Sequence, residues 1–218
     1  MPLFFLIAIV MPFVLAYIIG SIPFGLIAGK VVKGVDVREY GSGNIGATNV
    51  MRVLGKGWGY VVFCLDVLKG FLPTFFVLYL LQRHGGSLGK EAIGWIVVLT
   101  GIFSVLGHSF SCFLKFKGGK GVCTSLGVII GIDWRVACIA YGLFLLVLLI
   151  SRYVSLGSVL AALSVPVMFI FFKFFDAPLS YKIIGVVMFI AIFLKHIPNI
   201  KRLFNGTESK FKFKNSDK

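Results

Sequence analysis

The first long apolar stretch, residues 3–29, has the sequence LFFLIAIVMPFVLAYIIGSIPFGLIAG and contains no charged side chain. An α-helix rises about 1.5 Å per residue, so about 20 apolar residues cross the hydrocarbon core of a bilayer. Lys30 and Lys33 follow this stretch and no basic residue precedes it, which is the wrong polarity for a cleaved signal peptide. The stretch therefore predicts a first membrane span with its amino end outside and Lys30 inside.

The rest of the chain repeats this apolar character. Of the 218 residues 58% are hydrophobic and only 14% are charged, whereas soluble domains carry about 25% charged residues. Residues 121–151 suit either one long helix or two short spans separated by Ile132-Asp133-Trp134-Arg135; we choose two, because only that choice puts the three polar segments described below on one side. The other spans are expected at about 58–81, 92–112, 154–175 and 181–197. The sequence thus predicts an all-α, polytopic helical membrane protein, a single domain over residues 1–218 with about seven transmembrane helices, N-terminus out and C-terminus in.

The charge distribution supports this topology. The net charge is +14, from 22 basic and 8 acidic residues, and the topology places 16 basic residues inside, five outside and Lys69 within a span. The positive-inside rule and attraction to anionic lipid account for most of this charge, and the remainder suits an anionic substrate. Nucleic acid is not expected as a partner, because most of the chain is committed to the bilayer. The four cysteines form no ligand-spaced set, so neither a disulfide nor a metal site is expected, and no cofactor is implied.

Polar segments interrupt the apolar runs at about 33–57, 107–121 and 195–208, followed by a basic tail, 209–218. The first contains GSGNIGATNVMR, residues 41–52. A flexible turn is one interpretation of such a small, polar run. The other is a site, because three- and four-residue spacing places its polar side chains on one helical face. These are Asn44, Thr48, Asn49 and Arg52.

The second segment contains KFKGGKG, residues 115–121, with three lysines and three glycines. Glycines let backbone N–H groups approach a ligand closely, and N–H groups at the start of a helix form an anion pocket. His108 precedes this run, and both a buried core role and a functional role stay open for it. Asp66 and Lys69 lie three residues apart within a span, where a structural ion pair is the preferred interpretation over a functional one.

The third segment places His196 and Asn199 on one face of a helical turn that Pro198 is expected to disturb. In the tail, Phe211 and Phe213 alternate with lysines, which favours an interfacial anchor.

These residue types limit the chemistry. No GxSxG elbow, Walker A spacing, His-x4-Asp dyad or pair of catalytic carboxylates is evident. Lysine, arginine, serine, asparagine, histidine and glycine backbone remain, a set that binds phosphate and stabilises negative charge. The substrate would therefore have to bring its own good leaving group.

Three stretches resemble the signatures of the PlsY family: residues 41–52, residues 107–122, and the run from His196 to Glu208. The members are bacterial inner-membrane acyltransferases that transfer an acyl group from acyl phosphate to glycerol-3-phosphate. The resemblance covers nearly the whole chain. Ser111 departs from it, standing where the family usually has proline, and Ile197-Pro198 fills the variable pair after His196.

The resemblance implies a product, 1-acyl-glycerol-3-phosphate (lysophosphatidic acid), with phosphate released, as the first step of bacterial phospholipid synthesis. It also implies seven spans, an active site on the cytoplasmic face and a functional link to the enzyme that makes acyl phosphate. The catalytic residues it implies are Ser42, Arg52, Lys120, His196 and Asn199. The substrate-binding residues it implies are Gly43, Asn44, Thr48, Asn49, His108, Lys117, Gly118, Gly119, Gly121, Arg202 and Glu208, with Gly118, Gly119 and Gly121 as backbone donors. The hydroxyl proton goes to a histidine or, as we prefer, to a substrate phosphate oxygen.

Two rival functions suit parts of the pattern. Basic, glycine-rich loops and charged spans also suit a phosphate or organophosphate transporter, although transporters often show repeated halves with broken helices near the midplane, and here the three segments differ from one another. A non-catalytic membrane scaffold does not explain why three separate segments concentrate small polar and basic residues.

Overall fold

The structure, a computed structural model, describes residues 3–86, 88–175 and 177–213. The α-helices of these ranges are α1 Leu3–Ser21, α2 Phe24–Lys33, α3 Ala47–Leu54, α4 Lys56–His84, α5 Lys90–Ser109, α6 Val122–Ile132, α7 Trp134–Ser151, α8 Val154–Phe171 and α9 Leu179–Phe204. Short 3-10 turns lie at Val37–Glu39, Cys112–Leu114 and Lys173–Phe175. The predicted all-α class is confirmed.

Within those ranges, six stretches are long and apolar enough to cross a membrane. They are Val10–Lys33, Lys56–His84, Lys90–Leu114, Trp134–Ser151, Val154–Phe171 and Leu179–Phe204. The apolar helix α6 has 11 residues and is about 16 Å long, which is too short to cross the hydrocarbon core alone. The chain is thus a multi-pass membrane protein, while the total of seven spans and their orientation stay predictions.

The first span is broken near its predicted inner end. Pro23 lies between α1 and α2, and a proline cannot donate a backbone hydrogen bond. Side chains from other elements satisfy the carbonyls at the break: Ser111 Oγ donates to Ser21 O at 2.6 Å and Lys69 Nζ donates to Ile22 O at 3.0 Å. A backbone break at membrane depth is tolerated where protein groups supply such partners.

The predicted break between residues 121–132 and 134–151 is confirmed. Asp133 ends α6 and caps α7, its side chain accepting a hydrogen bond from the Arg135 N–H at 2.9 Å. The last span differs from its prediction, because α9 continues through Pro198 to Phe204. This extension carries the polar residues of the third segment on the same rigid helix that spans the membrane.

Close backbone contacts hold the helices around the site. A Cβ at Gly20 would meet the backbone of Ser104, and one at Gly107 would meet the backbone of Tyr17, so α1 and α5 approach through glycine. Gly127 on α6 lies in the same way against the backbone of α4. Small residues at such positions are the usual means by which membrane helices gain packing contacts.

Candidate active site

The three polar segments meet at one cavity of about 650 Å³ that lies among α3, α4 and α6–α9. Most of the residues predicted for the site line it. These are Ser42, Asn44, Thr48, Asn49, Arg52, His108, Lys120, Gly121, His196, Asn199, Arg202 and Glu208. One polar end of the cavity, called the rim below, is formed by residues that interact with one another: Arg52, Lys120, Asn199, Arg202 and Glu208.

The rest of the cavity is apolar. Its walls come from α4 and from α6–α9 and include Phe63, Leu126, Ile129, Ala137, Ala140, Phe144, Ala162, Val165, Met188 and Ile192. Ile129, Ala137, Val165 and Met188 also belong to a buried core cluster, so the core closes the end of the cavity opposite the rim. The cavity-lining stretch of α7 from Leu148 to Ala137 is about 16 Å long at about 1.5 Å per residue.

Asn49 organises the first segment. Its side chain is 1% exposed; Oδ1 accepts from the Ser42 N–H at 2.7 Å, and Nδ2 lies 2.7–3.1 Å from the carbonyl oxygens of Val37, Tyr40 and Asn44. These contacts occupy the amide and fix the loop that presents Ser42 to the cavity. Asn49 therefore positions the loop, although the spacing of the sequence suggested that it faces a ligand.

The lysine-glycine loop packs on the end of α5. The Gly118 N–H donates to Ser109 O at 3.2 Å and the Gly119 N–H to His108 O at 3.0 Å. A Cβ at Gly119 would meet the His108 ring, so glycine is required there by close approach. These two N–H groups are bonded to the end of α5, which differs from the expectation that they are donors to a ligand.

Residues Gly43, Lys117, Gly118 and Gly119 do not line the cavity. Lys117 is exposed, and Lys115 and Phe116 before it adopt left-handed backbone conformations with φ of 52° and 59°. The loop turns through these residues so that Lys120 reaches the cavity, and Lys120 is the lysine of this segment that lines it.

Lys120 connects the second segment to the third. Its Nζ donates to Asn199 Oδ1 at 2.5 Å. Burial lowers the pKa of Lys120 to about 8, Glu208 opposes that effect, and the neighbouring cations Arg202 and Arg52 add to it. Lys120 is therefore mostly charged at neutral pH, and the basic residues of all three segments lie close enough to influence one another.

Glu208 fixes the third segment. Its carboxylate accepts from Asn199 Nδ2, from Ser155 Oγ and from Arg202 Nε, each at 2.7 Å. Burial raises the pKa of Glu208, but these three hydrogen bonds outweigh it and hold the pKa below its usual value. Glu208 is consequently ionised at neutral pH and orients both Asn199 and Arg202. Ser155 was not foreseen, because nothing in the sequence around it marks it.

His196 is buried, and its Nδ1 lies 2.8 Å from the Ile192 carbonyl oxygen. A carbonyl oxygen only accepts, so Nδ1 carries the hydrogen of the neutral ring. Nε2 is then left with a lone pair that can accept a hydrogen bond from a hydroxyl group.

The start of α6 adds an anion-binding feature beside Lys120. Gly121 lines the cavity with φ of 80° and precedes the helix, whose first N–H groups have no intrahelical partner. Ser125 Oγ in the next turn is buried, lines the cavity and has no hydrogen-bond partner in the described part of the chain. Ser125 was not foreseen, because it lies within an apolar run.

The predicted ion pair within the second span is observed. Lys69 Nζ lies 2.8 Å from Asp66 Oδ1, and both side chains are almost fully buried. His108 Nδ1 is 3.8 Å from the same oxygen. Asp66 and His108 also line the cavity, so this cluster joins the broken first span, α4 and the lysine-glycine loop beneath the rim.

The match to known proteins covers most of this arrangement. The family model for glycerol-3-phosphate acyltransferase matches residues 10–206. The chain belongs to this family. A glycerol-3-phosphate acyltransferase of Nostoc sp. is 44% identical over 202 residues, which cover 89% of this chain and 88% of the relative. A relative with the same name from Fusobacterium nucleatum is 44% identical over 201 residues, covering 92% of this chain and 96% of the relative.

Two solved structures of the family have the same fold. Both are of PlsY (YgiH), described as an integral membrane glycerol 3-phosphate acyltransferase, and both are 40% identical to this chain over 94% of its length and 96% of theirs. The glycerol 3-phosphate form matches with a TM-score of 0.82 and the lysophosphatidic acid form with 0.79. The resemblance to the PlsY family is thereby confirmed.

Proposed function

We propose that this protein transfers a fatty acyl group from acyl phosphate to glycerol-3-phosphate, giving 1-acyl-glycerol-3-phosphate and inorganic phosphate, as the first step of bacterial phospholipid synthesis. One observation carries the proposal. The cavity joins a rim containing Arg52, Lys120 and Arg202 directly to an apolar interior that is closed at its far end. Such a cavity suits a substrate with an anionic head and a fatty chain. The PlsY relatives solved with glycerol 3-phosphate and lysophosphatidic acid support the acceptor and the product.

The rim would hold two phosphate groups at once. Two anions placed side by side repel, so cations and hydrogen-bond donors must lie between and around them. In the proposal Ser42, Arg52 and Lys120 bind the phosphate oxygens, with the start of α6 and Ser125 as further donors. His196 and Asn199 complete the pocket from α9 and orient the glycerol hydroxyl.

The chemical step then needs no strong base from the protein. The glycerol hydroxyl oxygen attacks the acyl carbon, the bond from that carbon to the phosphate oxygen breaks, and the hydroxyl proton passes to a phosphate oxygen. Acyl phosphate is a mixed anhydride, so phosphate already leaves easily. Holding the two reactants in contact in the correct orientation supplies much of the remaining acceleration. His196 Nε2 can accept the hydroxyl hydrogen bond and aim the attack.

The apolar interior would hold the acyl chain. A chain of C–C bonds of about 1.5 Å at an angle of about 111° extends by about 1.25 Å per bond. The stretch of α7 that lines the interior, about 16 Å long, is therefore as long as about 13 such bonds in extended form. This length suits ordinary long-chain fatty acyl groups.

The cellular setting is proposed on similar grounds. The excess of basic residues beside the three segments supports a cytoplasmic rim in the inner membrane. The acyl phosphate would come from an enzyme that makes it. A transporter is less suited, since the apolar residues that close the cavity do not favour passage of a phosphate group.

The proposal is tested with purified protein in detergent. Acyl phosphate and glycerol-3-phosphate together should give lysophosphatidic acid and one phosphate per product, and acyl-CoA in place of acyl phosphate should give none. Efficient use of acyl-CoA would assign a different donor. Uptake of labelled glycerol-3-phosphate into liposomes containing the protein, without acyl transfer, would favour the transporter.

A further inference from the structure

The chain stays beside the site after α9 ends at Phe204. Residues Glu208–Phe213, called the strap below, cross the rim without helical structure. The Phe211 N–H donates to Arg152 O at 2.7 Å, at the turn between α7 and α8, and Lys56 Nζ at the start of α4 donates to Phe213 O at 2.6 Å. With the Glu208 carboxylate bonded to Asn199 and Ser155, the strap is held at three points along its length.

The strap presents alternate side chains to the cavity. Ser209, Phe211 and Phe213 line it, whereas Lys210 and Lys212 do not. This alternation is what an extended chain produces, because successive side chains point to opposite sides. The two rings form an edge-to-face pair with centroids 5.2 Å apart. The pattern Ser-Lys-Phe-Lys-Phe, which favoured an interfacial anchor in the sequence, thus forms part of the cavity wall.

We propose that Phe211 and Phe213 are donor-specificity residues, which contact the first carbons of the acyl chain and close the rim over them. This inference rests on the proposed function. In the proposal the phosphate of the donor lies at Lys120, so the first methylene groups of its acyl chain run from the rim toward α7 and α8. The strap crosses the rim there, from the α7–α8 turn to α4. In the proposal, apolar rings at this level remove the first methylene groups from water.

The strap lies beyond the part of the chain that the family model matches, which ends at residue 206. Residues 10–206, which the model matches, supply the helices and the rim cations Arg52, Lys120 and Arg202. The strap's anchors are backbone groups and the Glu208 side chain, so replacing either ring with alanine removes the contact with the chain and leaves the anchors intact.

The kinetic test compares Phe211→Ala and Phe213→Ala with Phe204→Ala. Phe204, at the end of α9, is 88% exposed and lies outside the cavity, so it is the matched control. Each strap variant should raise the KM for hexadecanoyl phosphate roughly tenfold, the effect of losing one buried aromatic contact. The KM for glycerol-3-phosphate should stay within about twofold, and the control should match wild type in both.

A binding test does not depend on turnover. Tryptophan emission of Phe211→Trp should shift to shorter wavelength when dodecyl phosphate is added, and that of Phe204→Trp should not. An unchanged donor KM in both alanine variants, or a parallel rise of both KM values with a lower melting temperature, would overturn the inference and leave the strap a structural element. An unshifted Phe211→Trp emission would also overturn it. Failure of wild type to make lysophosphatidic acid would instead count against the proposed function.

Discussion

At the scale of single residues, Lys120 lies where the charges of the three segments meet. It is hydrogen-bonded to Asn199 and lies near Arg52, Arg202 and Glu208, and burial lowers its pKa to about 8. A lysine in this state keeps its charge at neutral pH but loses it at a lower pH than an exposed lysine does. Binding of a phosphate oxygen depends on that charge.

The pH dependence of the reaction should report this pKa. Because the charged form exists below the pKa, kcat/KM should be level near pH 7, fall as pH rises through about 8, and be about tenfold lower by pH 9. Lys120→Arg should have lower activity but a level profile over the same range, since arginine stays charged. Steady-state rates across this range test the assignment; a wild-type profile that is level to pH 9 would contradict it.

Asn49 should matter for stability. Asn49→Ala removes four hydrogen bonds that hold a partly exposed loop, one of them to the buried Val37 carbonyl, so we expect it to lower the free energy of unfolding by about 3 kcal/mol. Arg38→Ala in the same segment removes a partly exposed ion pair with Asp36 and should cost less than about 1 kcal/mol. Unfolding of the purified protein in detergent measures both; equal effects would show that Asn49 does not organise the loop.

Asn49 also shows that the spacing of polar residues does not decide which partner each side chain contacts. The sequence placed Thr48 and Asn49 on one polar face, but neighbouring residues on a helix point about 100° apart. The structure turns Asn49 toward the loop, and its amide is occupied by backbone groups. Gly118 and Gly119 are similar: the sequence predicts close approach, and the partner proves to be the end of α5.

At the scale of elements, the contact between α4 and α6 fixes where α6 starts and thus where Lys120 lies. A Cβ at Gly127 would meet the backbone of Val67 and Phe71 on α4, whereas a Cβ at Gly142 on α7 has open space around it. Both glycines lie within helices, so alanine raises the helix propensity at either position. A difference in stability between the two variants therefore reports the packing contact of Gly127.

Gly127→Ala should therefore force α6 away from α4 and lower stability by about 2 kcal/mol. Gly142→Ala should leave stability unchanged or raise it by about 0.5–1 kcal/mol, because alanine favours the helix. The melting temperatures of the two variants in detergent measure this difference. A Gly127→Ala protein as stable as wild type would contradict the close packing.

The sequence predicted the bounds of a helix where neighbouring residues in the chain determine them. The break before α7 follows from Asp133, a helix-capping residue between apolar runs. The continuation of α9 through Pro198 was missed, and the sequence does not show what satisfies the break at Pro23, because the effect of a proline depends on what lies around it. Lys69 and Ser111 satisfy the carbonyls at the first break, and these partners come from distant parts of the chain.

At the scale of the whole molecule, the orientation in the membrane stays a prediction from the charges. The topology puts 16 basic residues on the side of the three segments and five on the other, which should direct that side to the cytoplasm. Green fluorescent protein fused to the C-terminus should therefore fluoresce, and alkaline phosphatase fused there should be inactive. Active phosphatase at the C-terminus would contradict the orientation.

The convergence of the three segments was predictable because each concentrates residues that bind phosphate. The strap was not, since alternating lysine and phenylalanine suit a membrane interface as well as a cavity wall. The hydrogen bonds that Phe211 forms with Arg152 and Phe213 forms with Lys56 place the tail in the cavity wall rather than at a membrane interface. These bonds join residues that are far apart in the sequence.

The central claim is that one cationic cavity brings the acyl donor and its acceptor together. The most direct measurement is the rate of lysophosphatidic acid formation by Lys120→Ala beside Lys115→Ala, a matched change of an exposed lysine in the same loop that lies outside the cavity. The account predicts at least a roughly hundredfold loss for Lys120→Ala in a protein that still folds and inserts, and a rate within about twofold of wild type for Lys115→Ala. Near-normal turnover by Lys120→Ala would contradict it.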